Sequence, residues 1–178
     1  MGIMCEIIVQ KSSYKPSSKN LKGIIQNLCA IYEVHILPYK FKNDTGTAYL
    51  NIRSISIPLR IDSIHSFLVA IHEINHILIN DKKLFSDYMF NFQLEYDTEM
   101  ETIKYAKSQK FITKEQVKRY EYFAKRYITR VLFKDLQLYY DNHNILYECS
   151  KNILKYLDLT QDEINKIIIM NNKGSNNE

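Results

Sequence analysis

The chain has 178 residues, 46% apolar and 25% charged, which is the composition of a globular protein with room for one core and a helical appendage. Only 4 glycines and 3 prolines argue against a loop-rich all-β protein and for a mostly helical one. The formal charge of +4 is mild but uneven: eight Lys or Arg lie between Lys110 and Lys134, against Glu115 and Glu121 alone.

From about Ser18 to Tyr32, Leu21, Ile24, Ile25, Leu28 and Ile31 recur at helical spacing, with Ser17 or Ser18 as N-cap. The pattern changes at Val34. VHILPYKF, TAYLNI and SISIPLRI are β-branched or aromatic runs with period-two character, broken by the turn signal NDTGT. They predict a small antiparallel sheet of two or three strands across Val34 to Ile61, with Pro38 and Pro58 at edges or strand ends. Asp62 or Ser63 then caps a helix running to about Asn80. A second helix follows from Ser86 or Asn91 through Lys107, and Thr113 opens a basic, tyrosine-rich one from Lys114 to about Phe133. Asp135 to Leu157 reads as helical with a break at DNHN, and Thr160 with Glu163 forms a capping box for a last helix, Gln161 to Met170. The tail NNKGSNNE reads as disordered. The fold class expected is α+β, mostly helical.

Cys5, Cys29 and Cys149 are scattered and odd in number, so reduced thiols in a cytoplasm are expected rather than a disulfide framework. The start, MGIMCEIIVQ, has no basic n-region, and Glu6 stands where myristoylation needs Ser or Thr. The longest apolar run, FLVAIHEINHILIN, is interrupted by His72, Glu73, Asn75 and His76, so no membrane span is expected.

That run carries the chemistry. Residues i and i+4 share one helical face, so His72 and His76 can aim both imidazoles at one ion, about 2 Å from each ring nitrogen as Zn²⁺ requires. Glu73 projects beside that ion, placed to take a proton from a water and pass it to a leaving amine. The pattern is H-E-x-x-H, and its apolar flanks Ala70, Ile71, Ile74, Ile77 and Leu78 would keep such a site dry. The plainer reading is a core helix with two hydrogen-bonded histidines, but burying His72, Glu73 and His76 without partners would cost several kcal/mol (about 1–3 for each neutral group). A catalytic zinc also needs a third protein ligand. The next helix offers Glu95, Asp97, Glu99 and Glu101; Glu95 and Glu99 share its buried side with Phe92, Thr102, Ile103 and Ala106. One could bind the metal while the other holds a ligand histidine. A third histidine six residues after His76 is absent, the position being Lys82, and His143 is too distant to prefer.

These residues resemble the ImmA/IrrE-like family of zinc metallopeptidases, over roughly Leu21 to Ala106. SFLVAIHEINHIL is similar to the family's S-F-x-x-A-H-E-x-G-H segment, and Glu99 to Ala106 (EMETIKYA) to its E-x-x-A-x-x-aromatic-A helix. The resemblance implies His72, His76 and Glu99 as ligands of Zn²⁺, Glu73 as the general base and acid, and Tyr105 and Ala106 at packing positions. Asn75 replaces the usual Gly, Thr102 replaces Ala, and Ile103 stands where many members carry Asn or Asp. A register shifted by four would put Glu95 at the ligand position and Glu99 at the acidic one. The implied organisation is a zincin-like metallopeptidase core over 1–108, a helical extension over 109–170 packed on it, and the tail 171–178.

The activity implied is a cytoplasmic, zinc-dependent endopeptidase of narrow range, of the kind found in phages, mobile elements and bacteria, cutting a protein such as a regulator or repressor. A Tyr or His from the C-terminal half would stabilise the oxyanion. The alternative is a non-catalytic zinc-containing protein whose basic C-terminal helices contact nucleic acid or a protein partner, although a basic run is more simply a solvated helix face. Glu73 speaks against it, because structural zinc has no use for a neighbouring carboxylate.

Overall fold

The computed structural model describes residues 18–38, 45–58, 60–82, 91–138, 151–160 and 162–163. Helix α1, Ser18–Ile31, buries Leu21, Ile25, Leu28 and Cys29. Burial pushes the Cys29 thiol up to about 11, so it packs as a small apolar group. The helix ends in a Schellman motif: Val34 N donates to Cys29 O at 2.8 Å and Glu33 N to Ala30 O at 3.4 Å, with Glu33 left-handed at φ 55°.

Three short strands follow, β1 His35–Leu37, β2 Thr47–Tyr49 and β3 Ser54–Ser56, with a 3₁₀ turn, Leu50–Ile52, between the last two. Their order is β1-β3-β2. The 3₁₀ turn folds β3 back antiparallel to β2, while β1 pairs with the other side of β3 in parallel. The expected antiparallel sheet is therefore a mixed one. Alternation over three-residue strands marks a strand but carries no information on the direction of its partner. Arg53, left-handed after the 3₁₀ turn, ties the elements together: its guanidinium pairs with Asp81 beyond the next helix and donates to Tyr32 O at 2.7 Å.

Helix α2, Ile64–Asn80, runs through the middle of the molecule and contacts α1, the sheet and the later helices. Ser63 caps it in a reciprocal box, Ser66 N donating to Ser63 Oγ at 3.1 Å and Ser63 N to Ser66 Oγ at 3.2 Å. Its near-continuous apolar sequence has partners on several sides, and Phe67, Leu68 and Ala70 are fully buried.

Helices α3, Asn91–Ser108, and α4, Lys114–Leu138, pack on one another and on α2. A short α5, Lys151–Leu157, lies against α4. Thr113 and Gln116 form the box that opens α4, which runs past the expected end at Phe133. Two apolar clusters result. The larger joins α1, the sheet and α2 to Ile103, Val117, Tyr120 and Ala124; the smaller joins Phe92 to Ile128, Leu132, Ile153, Leu154 and Leu157. Helix α4 enters both, so the C-terminal helices share the core. The expected helix start at Ser86, the DNHN break, most of the last helix and the tail lie outside the described residues. Among those described, no helix is long and apolar enough to cross a membrane.

Asp135 fixes where α3 begins. Fully buried on α4, it accepts from Phe92 N at 2.8 Å and from Asn91 Nδ2 at 3.1 Å, placing an anion at the helix N-terminus. Asp135→Ala leaves the buried Phe92 N–H without this acceptor and should lower the unfolding free energy by about 2–3 kcal/mol in urea titration. Asp135→Asn, which keeps an acceptor oxygen, should cost less than half as much.

Candidate metal centre

His72, Glu73 and His76 project from the middle of α2, each less than 9% exposed. One turn separates the two imidazoles, and their Nε2 atoms face each other at 3.0 Å. Helix α3 brings Glu95 over this pair. Its Oε2 lies 3.2 Å from His72 Nε2 and 3.4 Å from His76 Nε2. Glu99, one turn later, does not reach the Nε2 atoms; its Oε1 sits 3.4 Å from His72 Nδ1. The resemblance implies Glu99 at the third-ligand position, but in the fold that corner of the triangle belongs to Glu95. The shifted register explains it: with Glu95 at the first position, Thr98 and Glu99 fall three and four residues on, against the two histidines.

The far side of the His76 ring shows which nitrogen is free. Thr98 Oγ1 donates to Leu94 O at 2.8 Å, so its contact with His76 Nδ1 at 3.2 Å has the ring N–H as donor. His76 Nε2 then keeps its lone pair. Glu99 Oε1 lies 3.4 Å from His72 Nδ1, close enough to attract a proton there but outside hydrogen-bond geometry. Its other oxygen accepts from the buried Tyr120 hydroxyl at 2.9 Å, which holds the carboxylate in place. Two imidazole nitrogens and a carboxylate oxygen thus converge on one point.

Such convergence needs something positive among the three, either a proton shared between the two Nε2 atoms or a cation. Glu95 Oε2 is buried and has no hydrogen bond of acceptable geometry despite its two short contacts. Without a cation, burial works against the His72 imidazolium, but Glu95 and Glu99 outweigh it and hold its pKa well above the usual value. The two histidines in turn keep Glu95 well below the carboxylate range against its own burial. Ligands at about 2.0–2.1 Å from a tetrahedral ion stand about 3.3–3.4 Å apart, close to the three separations seen. The His72–His76–Glu95 group could hold a metal ion.

Glu73 lies beside this triangle, with its pKa raised by burial and lowered in part by the two histidines. Gly46, at the entrance to β2, packs on it so closely that a Cβ at position 46 would lie 2.5 Å from Glu73 Oε1 and 2.7 Å from its Cδ. Tyr127 of α4 closes another side. Its ring stands edge-on to His72, centroids 6.1 Å apart. Burial first, then the charges of Glu95, Glu73 and Glu99 and a hydrogen bond to Glu95, push its hydroxyl's pKa up and keep it protonated.

Several of these partners had weak signals in the sequence. Tyr120 and Tyr127 are seven residues apart, two turns on one side of α4, and that spacing was their mark. Asn75 and Thr102, two departures from the family pattern, meet: Asn75 Nδ2 donates to Thr102 Oγ1 at 3.0 Å and pins α2 to α3 next to the ligands. Of the two packing positions, Ala106 is fully buried and Tyr105 lies against Phe67 with ring centroids 6.3 Å apart.

No protein-family model, curated protein or solved structure matched the chain in the three comparisons made.

The geometry separates the roles of the two glutamates. Glu95→Gln should abolish tight Zn²⁺ binding in competition with a chromophoric chelator. Glu99→Gln should retain about one equivalent with affinity weakened about 10–100-fold.

Proposed function

We propose that the protein is a zinc-dependent endopeptidase of narrow specificity, related to the ImmA/IrrE-like peptidases. The observation that carries this is the carboxylate of Glu73, buried beside two facing imidazole nitrogens and Glu95 Oε2. A purely structural ion would need only the triangle. An extra buried carboxylate, which costs stability, is accounted for by proton transfer.

In this reading His72, His76 and Glu95 hold Zn²⁺, and Glu99, Tyr120 and Thr98 orient the two rings. Bound Zn²⁺ would supply an acidified water and polarise the substrate carbonyl. Glu73 takes the proton of the attacking water and delivers it to the leaving amine. Gly46 leaves the space in which that carboxylate sits. Tyr127, the tyrosine whose hydroxyl is not committed to Glu99, donates to the oxyanion as it forms. Strand β2 is an end strand of the sheet and starts next to Gly46, so substrate adds along it as a further strand, its carbonyl carried past Glu73.

Glu73→Gln tests the reading. The variant should bind Zn²⁺ as the wild type does and lose about 10²–10⁴-fold in peptide-hydrolysis rate on a mixed peptide substrate. Wild-type hydrolysis that survives the substitution, or zinc-loaded wild type that cuts no peptide, would overturn the peptidase. Gly46→Ala should displace Glu73 and lower kcat with zinc content unchanged, which metal analysis beside the kinetics would read.

A further inference from the structure

The outer side of α4 carries a feature that the metal centre does not use. Phe123, Arg126, Tyr127 and Arg130 line a cavity of about 430 Å³. Their spacing of three, one and three residues makes a single helical stripe that borders the buried stripe of Val117, Tyr120, Ala124 and Ile128, with Tyr127 at the shared edge. Tyr127 belongs to both places: it walls this cavity and stands against His72. The cavity therefore adjoins the metal centre.

Its two arginines have aromatic supports instead of acidic partners. Arg126 lies over the Tyr122 ring at 5.8 Å and Arg130 over the Tyr127 ring at 5.9 Å. Among the described residues neither is in an ion pair, whereas Lys125, their neighbour on the same helix, is paired with Asp158 at 2.7 Å. A ring beneath a guanidinium occupies none of its N–H donors, so both forks are available to a carboxylate. Phe123, 39% exposed and tilted against the His65 ring at 5.1 Å, adds an apolar wall at the rim.

Charge gives the same preference. Two guanidinium groups with no ion-pair partner among the described residues make this wall positive. An acidic side chain is the group that such a wall favours. We infer that this cavity is a substrate subsite that takes an acidic side chain near the bond to be cut. The inference rests on the peptidase reading for the word substrate, but the binding it describes does not need catalysis.

Binding is measured with the zinc-loaded Glu73→Gln protein by fluorescence anisotropy, using a labelled peptide of alternating Glu and Ser and its counterparts with Gln or Lys in place of Glu. The Glu peptide should bind about tenfold or more tightly than the Gln peptide, and Arg126→Ala with Arg130→Ala should erase the difference. Equal binding of the Glu and Gln peptides, or a preference untouched by the double substitution, overturns the subsite. So does a labelled single-stranded DNA that binds more tightly than the Glu peptide and displaces it. Cleavage of a mixed peptide library by the wild type gives the second readout: Asp or Glu should be enriched close to the cut bond, and Arg126→Glu with Arg130→Glu should shift the enrichment to Lys or Arg. Cleavage without acidic enrichment overturns the subsite and leaves the peptidase standing. Selective binding of the Glu peptide without any cleavage overturns the peptidase and supports the subsite as an acidic-peptide site.

Discussion

The site depends on how closely helix α3 approaches the face of α2 that carries His72 and His76. That approach puts a carboxylate oxygen within 3.4 Å of two imidazole nitrogens that are themselves 3.0 Å apart. Apolar contacts alone would not hold three such groups together. The register is imposed from both ends: Asp135 fixes the first turn of α3, and Asn75 with Thr102 fixes its middle. Ala106, with no measurable exposure, lets the last turns close on α2. Helical geometry then does the rest, since Glu95 and Glu99 must fall one turn apart over histidines that are also one turn apart.

Helix α4 completes what α2 and α3 begin. Its buried stripe contributes to both apolar clusters, and two tyrosines on that side meet the two glutamates. Tyr120 is spent on Glu99, while Tyr127 faces a cavity open to the outside. The candidate metal centre is therefore built by three helices and the entrance to one strand. Electrostatics and packing share the load: carboxylates face the histidines, hydroxyls reach the carboxylates, and apolar residues bury most of the group.

The helices were legible because each carries apolar residues at helical spacing and a polar cap. Ser63, Thr113 and Thr160 all form boxes with the residue three positions on. The His72–Glu73–His76 cluster was legible because its spacing is local. Glu95 was not decidable from sequence alone. Glu95 and Glu99 lie on one face, and a choice between them is a choice of axial register between two helices, which depends on tertiary contacts such as those of Asp135 and Thr102. Strand pairing was hidden for a similar reason, since three-residue strands take their direction from the turn between β2 and β3. Left-handed Glu33, Arg53 and Asp158 were hidden as well: a chain with few glycines ends its helices and turns with ordinary residues.

The Asn75–Thr102 hydrogen bond also governs how such a chain can diverge. Thr102 Oγ1 keeps a second partner, donating to Thr98 O at 2.8 Å, so a chain that loses the Asn75 amide still has this hydroxyl paired, whereas one that loses Thr102 leaves the amide without this acceptor. Two positions 27 residues apart are thus coupled in one direction: replacement of Asn75 opens the way to replacement of Thr102, and the reverse order is the costlier step.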